Sequence, residues 1–218
     1  MWALYRPILR TLGRATLNAQ LHVVRQHRIG MLLNTAREHR TFDAVLLGHI
    51  SNSMSFFGSA TLLVLAGLLG MPANISHLYA SVMELNFVLT IGLELFKIYC
   101  AALTFIMAIC FFSFTYALRK LTYTLAMAGG LSGASGLDSN SQMMVSQTAT
   151  VMTQAVKNLK NGICGYYFAL AGLFLYAGPH YCIFMTGLMS GVLLYRQGFS
   201  TTALAVERYV EAMSYVPK

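Results

Sequence analysis

Residues 86–120 read NFVLTIGLELFKIYCAALTFIMAICFFSFTYALRK. From Asn86 to Leu118 the run is interrupted by only two charges, Glu94 and Lys97, and it closes on the basic pair Arg119 and Lys120. A helix of about 33 residues rises ~50 Å, well beyond the ~30 Å of a hydrocarbon core. The stretch therefore reads as a membrane span that tilts or protrudes, and the rest of the chain is read outward from it.

The chain has 218 residues, 56% of them hydrophobic and 10% charged. Soluble domains carry roughly 25% charged residues, so a typical water-soluble enzyme domain is excluded. Fifteen Lys and Arg against seven Asp and Glu give a net charge of +8, an excess suited to a charged membrane surface or an acidic partner. The fold expected is an all-α integral membrane protein: one membrane domain with three transmembrane helices, plus amphipathic interfacial helices at the N-terminus and in the second loop. Spans are expected at about 46–70, 86–117 and 164–195, inside a membrane domain of residues 43–200. A basic segment (1–42) precedes it and a tail helix (201–218) follows.

The first span ends in TLLVLAGLLGM, residues 61–71. Its first half carries His49, Asn52 and Ser53, and Ser51, Ser55 and Ser59 form a small-residue row at four-residue spacing that would admit another helix closely. These five, Ser51, Asn52, Ser53, Ser55 and Ser59, are the candidate packing residues. Pro72 and Asn74 then read as a helix break, and residues 72–83 as a translocated loop without Lys or Arg. Residues 128–142, AGGLSGASGLDSNSQ, read as a linker, and the apolar periodicity from Gln142 to Leu159 as a surface helix. Gly178-Pro179 either kinks the last apolar run or divides it into a hairpin. Charge counting favours one span, since it sets the N-terminus and the 118–161 loop on one side and the tail on the other.

The first 42 residues hold seven arginines and one acid, Glu38, for a net +6. Arg6, Arg10 and Arg14 lie four apart on one helical face, and with Arg25 and Arg28 they are candidates for anionic headgroups such as those of cardiolipin. Solvated topological charge is the plainer alternative. The Arg-rich, acid-poor composition is also that of a mitochondrial transit peptide; a retained segment with import information still encoded is the expectation. Nucleic acid is not expected as a partner, because aromatic residues are not interleaved with these arginines beyond Trp2 and Tyr5.

Glu94 and Lys97 are placed to pair at i, i+3. An intramembrane charge pair reads either as part of an ion path or as an orienting salt bridge, and the lack of further acids beside it favours the bridge. His49 and His180 fall about 20 Å apart in depth along their helices, too far for one haem, and His22, His27 and His39 lack metal-ligand spacing. Glycine-rich 129–136 lacks the Lys-Ser/Thr of a phosphate loop, and Cys100, Cys110, Cys164 and Cys182 form no CxxC pair. No metal, cofactor, catalytic group or small-molecule substrate is expected.

Three local signatures carry a resemblance: Asn52-Ser53-Met54; Phe112-x-Phe114-x-Tyr116-x-x-Arg119; and Tyr166-Tyr167-Phe168-Ala169-Leu170 with Tyr195-Arg196-x-x-Phe199-Ser200. In order and separation they resemble a family of small bacterial and plant integral membrane proteins known only as a domain of unknown function, over about residues 35–200. The resemblance implies a four-span fold with an extra N-terminal helix, which this chain is read as lacking. The family's polar Gln and Arg ahead of Asn-Ser are replaced around His49 and Ser51, and the Arg-Glu of its exit motif by Gln197 and Gly198. No biochemical role comes with the resemblance.

The function expected is that of a non-enzymatic accessory subunit of a larger membrane complex, energy-transducing (respiratory or ATP-synthase type), in the mitochondrial inner membrane. A bacterial inner membrane is the second location. The alternative function is a homo-oligomeric transporter or channel using Glu94 and Lys97.

Overall fold

The computed structural model describes residues 17–34, 37–84, 91–131, 139–198 and 201–214. Among these the chain is entirely helical: α1 (Leu17–Asn34), α2 (Arg37–Gly70), a 3-10 turn (Met71–Asn74), α3 (Ile75–Met83), α4 (Leu93–Leu131), α5 (Ser139–Leu173), α6 (Pro179–Gly198) and α7 (Thr201–Ser214). Two stretches, Leu47–Met83 and Leu93–Leu131, are long and apolar enough to cross a membrane.

The boundaries differ from expectation in four places. Residues 72–83 are not a loop, because Pro72 enters the first turn of the 3-10 helix, where its missing N–H breaks no helical bond, and the chain continues as α3. Helix α4 passes Arg119 and Lys120 without interruption and runs through Gly129 and Gly130. The surface helix expected at about 142–160 is not separate: α5 continues past Lys157, Lys160 and Gly162 to Leu173. The third span is in turn not a single helix over 164–195. A turn over residues 174–177 ends at Gly178, whose φ of 138° only glycine adopts easily, and Pro179 starts α6.

The chain divides into two compact units. One comprises residues 52–118 and 158–190. Here α4 buries Phe96, Cys100, Met107, Cys110, Phe114 and Ala117, residues three, four or seven apart that share a stripe. The opposite face of α4 presents Ile98, Phe105, Ile109, Phe112 and Tyr116, with Phe105 69% exposed. Helix α2 buries Met54, Gly58, Thr61 and Leu68 while Leu63 is 77% exposed. Large apolar side chains on an outer face are costly in water and neutral in lipid.

Helix α5 packs antiparallel to α4 through its smallest residues. A Cβ on Gly162 would lie 2.6 Å from the Phe114 ring, one on Gly165 would collide with the Cys110 sulfur, and Ala169 packs with Met107 and Leu68. Below them Tyr176 reaches Phe96, ring centroids 5.4 Å apart. The ladder therefore follows α4 from residue 114 to residue 96, about 27 Å of helix.

The other unit comprises residues 1–51, 119–157 and 191–218. Ile29 of α1 is buried with Leu131, Val145 and Ala149, and Met152 packs alongside. His22 Nδ1 and Thr153 Oγ1 are hydrogen-bonded at 2.9 Å. Helix α7 packs on α1. In chain order α1 precedes the first apolar stretch and α7 follows α6.

Candidate functional site

The polar groups singled out by sequence fall in different places. Of the packing candidates on α2, Asn52, Ser53, Ser55 and Ser59 are exposed and Ser51 is half-buried. The row that does pack is its neighbour, Met54, Gly58, Thr61 and Leu68, and Gly58 gives the close approach to Phe114 and Leu118. The serine row has the regular four-residue spacing, but the packed row is chosen by what faces it, Phe114 and Tyr166. Ser55 and Ser59, in the same unit as the packed row, thus lie on an outer face of α2. His49 is also exposed.

The packed face holds the polar feature that sequence reading missed. Thr61 donates its hydroxyl proton to the Phe57 carbonyl, so the bond between Thr61 Oγ1 and Tyr166 Oη must take its proton from the tyrosine. Around this pair Phe57 stacks on Phe114 at 5.7 Å and Phe114 meets Tyr166 at 5.9 Å. Thr61 is buried, and the two-bond chain satisfies its oxygen. The family-like Tyr-Tyr-Phe-Ala-Leu stretch contained Tyr166, but nothing in the sequence pairs it with Thr61.

A second cluster closes the other end of the same unit. Tyr79 donates to the Ile91 carbonyl at 2.7 Å, its ring meets Phe96 edge-on at 5.5 Å, and Tyr99 meets Tyr176 at 6.0 Å. Cys100 Sγ and Tyr176 Oη are 3.3 Å apart. Aromatic rings with polar tips suit a membrane–water boundary. Glu94 and Lys97 pair at 2.8 Å beside this cluster, with the Glu94 side chain 83% exposed, as an outer-surface bridge in the first turns of α4.

The candidate lipid-binding arginines divide. Arg6, Arg10 and Arg14 lie outside the described residues. Arg28 is exposed. Arg25 is not available to a headgroup in the same way: it is half-buried against α5, with Nη1 donating to Thr153 Oγ1 at 3.4 Å, and burial lowers its pKa from the ordinary arginine value. Among the described residues no three His, Cys, Asp or Glu side chains stand together as a metal site. The four cysteines carry no disulfide.

The arrangement combines interlocked small and aromatic side chains, a satisfied internal hydroxyl pair, and polar residues left on outer faces. No curated protein and no solved structure matches the chain. A family model described as "Protein of unknown function, DUF599" matches residues 1–202, in agreement with the resemblance carried by the Asn-Ser-Met, aromatic-Arg and Tyr-Arg signatures, and the chain belongs to that family.

Proposed function

We propose that the chain is a non-enzymatic, membrane-embedded subunit of a larger assembly, held by helix packing and lipid contacts. The observation that supports this best is the outer row of α2. Asn52, Ser55 and Ser59 are exposed while the adjacent row of the same helix is interlocked with α4 and α5. Small polar side chains on a membrane helix favour close approach of another helix, and their hydroxyl and amide groups gain hydrogen bonds there.

The α1–α7 contact supports four crossings in place of three, because two helices that meet outside a membrane are joined by an even number of crossings. They are α2 with α3, α4, the second half of α5 and α6. The ladder of about 27 Å that α5 and the turn after it form along α4 supports a crossing there, and α6, at 20 residues, rises about 30 Å. The Arg-rich, acid-poor start of the sequence supports the mitochondrial inner membrane and an energy-transducing host, with a bacterial inner membrane second. Glu94 and Lys97, neutralised by each other on an outer surface, give little support to an ion path.

The test is the mass of the native particle after mild detergent extraction, with its chains identified by mass spectrometry, for wild type and for Ser55→Leu/Ser59→Leu. A large particle of several different chains, lost in the double variant while the isolated chain keeps its helical circular dichroism, is the expected result. A particle containing this chain alone overturns the proposal.

A further inference from the structure

Arg119 follows directly on Leu118, where the apolar run of the sequence stops. Its Nε donates to Tyr123 Oη at 2.6 Å, and its guanidinium carbon lies 5.7 Å from the centroid of the same ring. Both residues are exposed. The bond through Nε fixes the guanidinium without using its terminal pair of nitrogens, whose parallel N–H groups match two oxygens of a phosphate. Tyr123 accepts through its oxygen and so keeps its own hydroxyl proton to donate. An exposed arginine normally loses side-chain freedom when it binds an anion; here the tyrosine has already restricted it.

We propose that Arg119 and Tyr123 form a headgroup site for an anionic phospholipid. Two features identify a lipid as the ligand. Register along α4 puts Phe112 and Tyr116, both exposed, on the helical stripe of Arg119 and Tyr123, so acyl-chain surface and phosphate donors follow one another on one helix. Charge selects the headgroup: Lys120 adds a second cation, and from Ile98 to Leu131 α4 contains no acid. A net positive site favours phosphatidylglycerol over phosphatidylcholine, whose trimethylammonium brings its own positive charge. This inference rests on α4 lying in a membrane and is independent of the subunit reading.

The test is native mass spectrometry of the full-length chain in detergent, titrated with phosphatidylglycerol and, separately, phosphatidylcholine of the same acyl composition. Loss of a charge-assisted bidentate contact in Arg119→Gln should weaken phosphatidylglycerol binding about tenfold, with phosphatidylcholine binding unchanged. Tyr123→Phe should give a smaller loss in the same direction, because the guanidinium keeps its charge and loses its support. Unchanged phosphatidylglycerol binding in Arg119→Gln, or an equal loss for both lipids, overturns the site. Millimolar inorganic phosphate should leave the lipid bound; displacement would assign the site to a soluble anion instead. Should Arg119→Gln lose its helical circular dichroism, Arg119→Lys replaces it: the charge stays, the paired donors go, and undiminished binding again refutes the proposal. A particle of this chain alone that still prefers phosphatidylglycerol would sink the subunit reading and leave this one standing.

Discussion

Gly162 and Gly165 carry no side chain where Phe114 and Cys110 of the facing helix need the space. In hydrocarbon there is little hydrophobic force between helices, so their association depends on such fitted van der Waals contact and on a few internal hydrogen bonds. A methyl on Gly162 would push against a ring that is itself clamped by Phe57 and Tyr166, leaving it little room to turn. Gly162→Ala should therefore lower stability by about 1–3 kcal/mol, despite alanine's better helix propensity, read as a drop in the detergent thermal midpoint. An unchanged or higher midpoint would mean that the two helices are not in such close contact. The Thr61–Tyr166 pair illustrates the limit of reading by residue type: each side chain is unremarkable in its own stretch of sequence, and only their meeting makes a satisfied polar centre.

Helix α4 shows what periodicity resolves at the scale of an element. Its two faces separate cleanly, Phe96 to Ala117 within and Ile98 to Tyr116 without, at the spacing that an α-helix imposes. Phe114→Ala should leave a cavity and cost about 3 kcal/mol or more, whereas Phe105→Ala on the outer face should change the thermal midpoint little in a lipid-like environment. Equal effects from the two would contradict the assignment of faces. Helix ends were less legible than helix faces. Gly129 and Gly130 looked like the start of a linker, yet α4 runs through them, because a glycine in a helix costs only about 1 kcal/mol that packing at Leu121, Thr124 and Leu131 offsets. Gly178 is different in kind. Its φ of 138° cannot be taken by alanine without strain, so Gly178→Ala should destabilise the turn between α5 and α6 by about 1 kcal/mol or more, measured in the same thermal assay.

At the scale of the whole molecule the informative contact is α7 on α1. On the four-crossing proposal it corresponds to both ends of the described chain lying on one side of the membrane, where charge counting places them on opposite sides. The tail from residue 197 is electrically balanced, so the positive-inside tendency had nothing to act on there. Cysteines introduced singly at Gln26 of α1 and Ala212 of α7, both exposed, should react with an impermeant thiol reagent from the same side of sealed vesicles. One at Ala73, in the 3-10 turn between α2 and α3, should be protected from that side. Labelling of residues 26 and 212 from opposite sides would refute the four-crossing arrangement and require an odd number.

The sequence by itself determined that the chain is helical and that it carries apolar runs long enough to cross a membrane, with few charges in them. It also determined the family, through short signatures whose order is kept. It did not determine which of two rows on α2 faces a neighbour, whether Gly178-Pro179 bends one helix or separates two, or which helix the tail packs on. Those depended on the tertiary structure for one physical reason. Local spacing states which residues share a face, but the energy of a face comes from the atoms opposite it: Phe114 above Gly58 and Gly162, Tyr166 beside Thr61, α1 beneath α7. In a chain that is apolar almost all round, burial alone does not distinguish between faces, and complementarity of shape does.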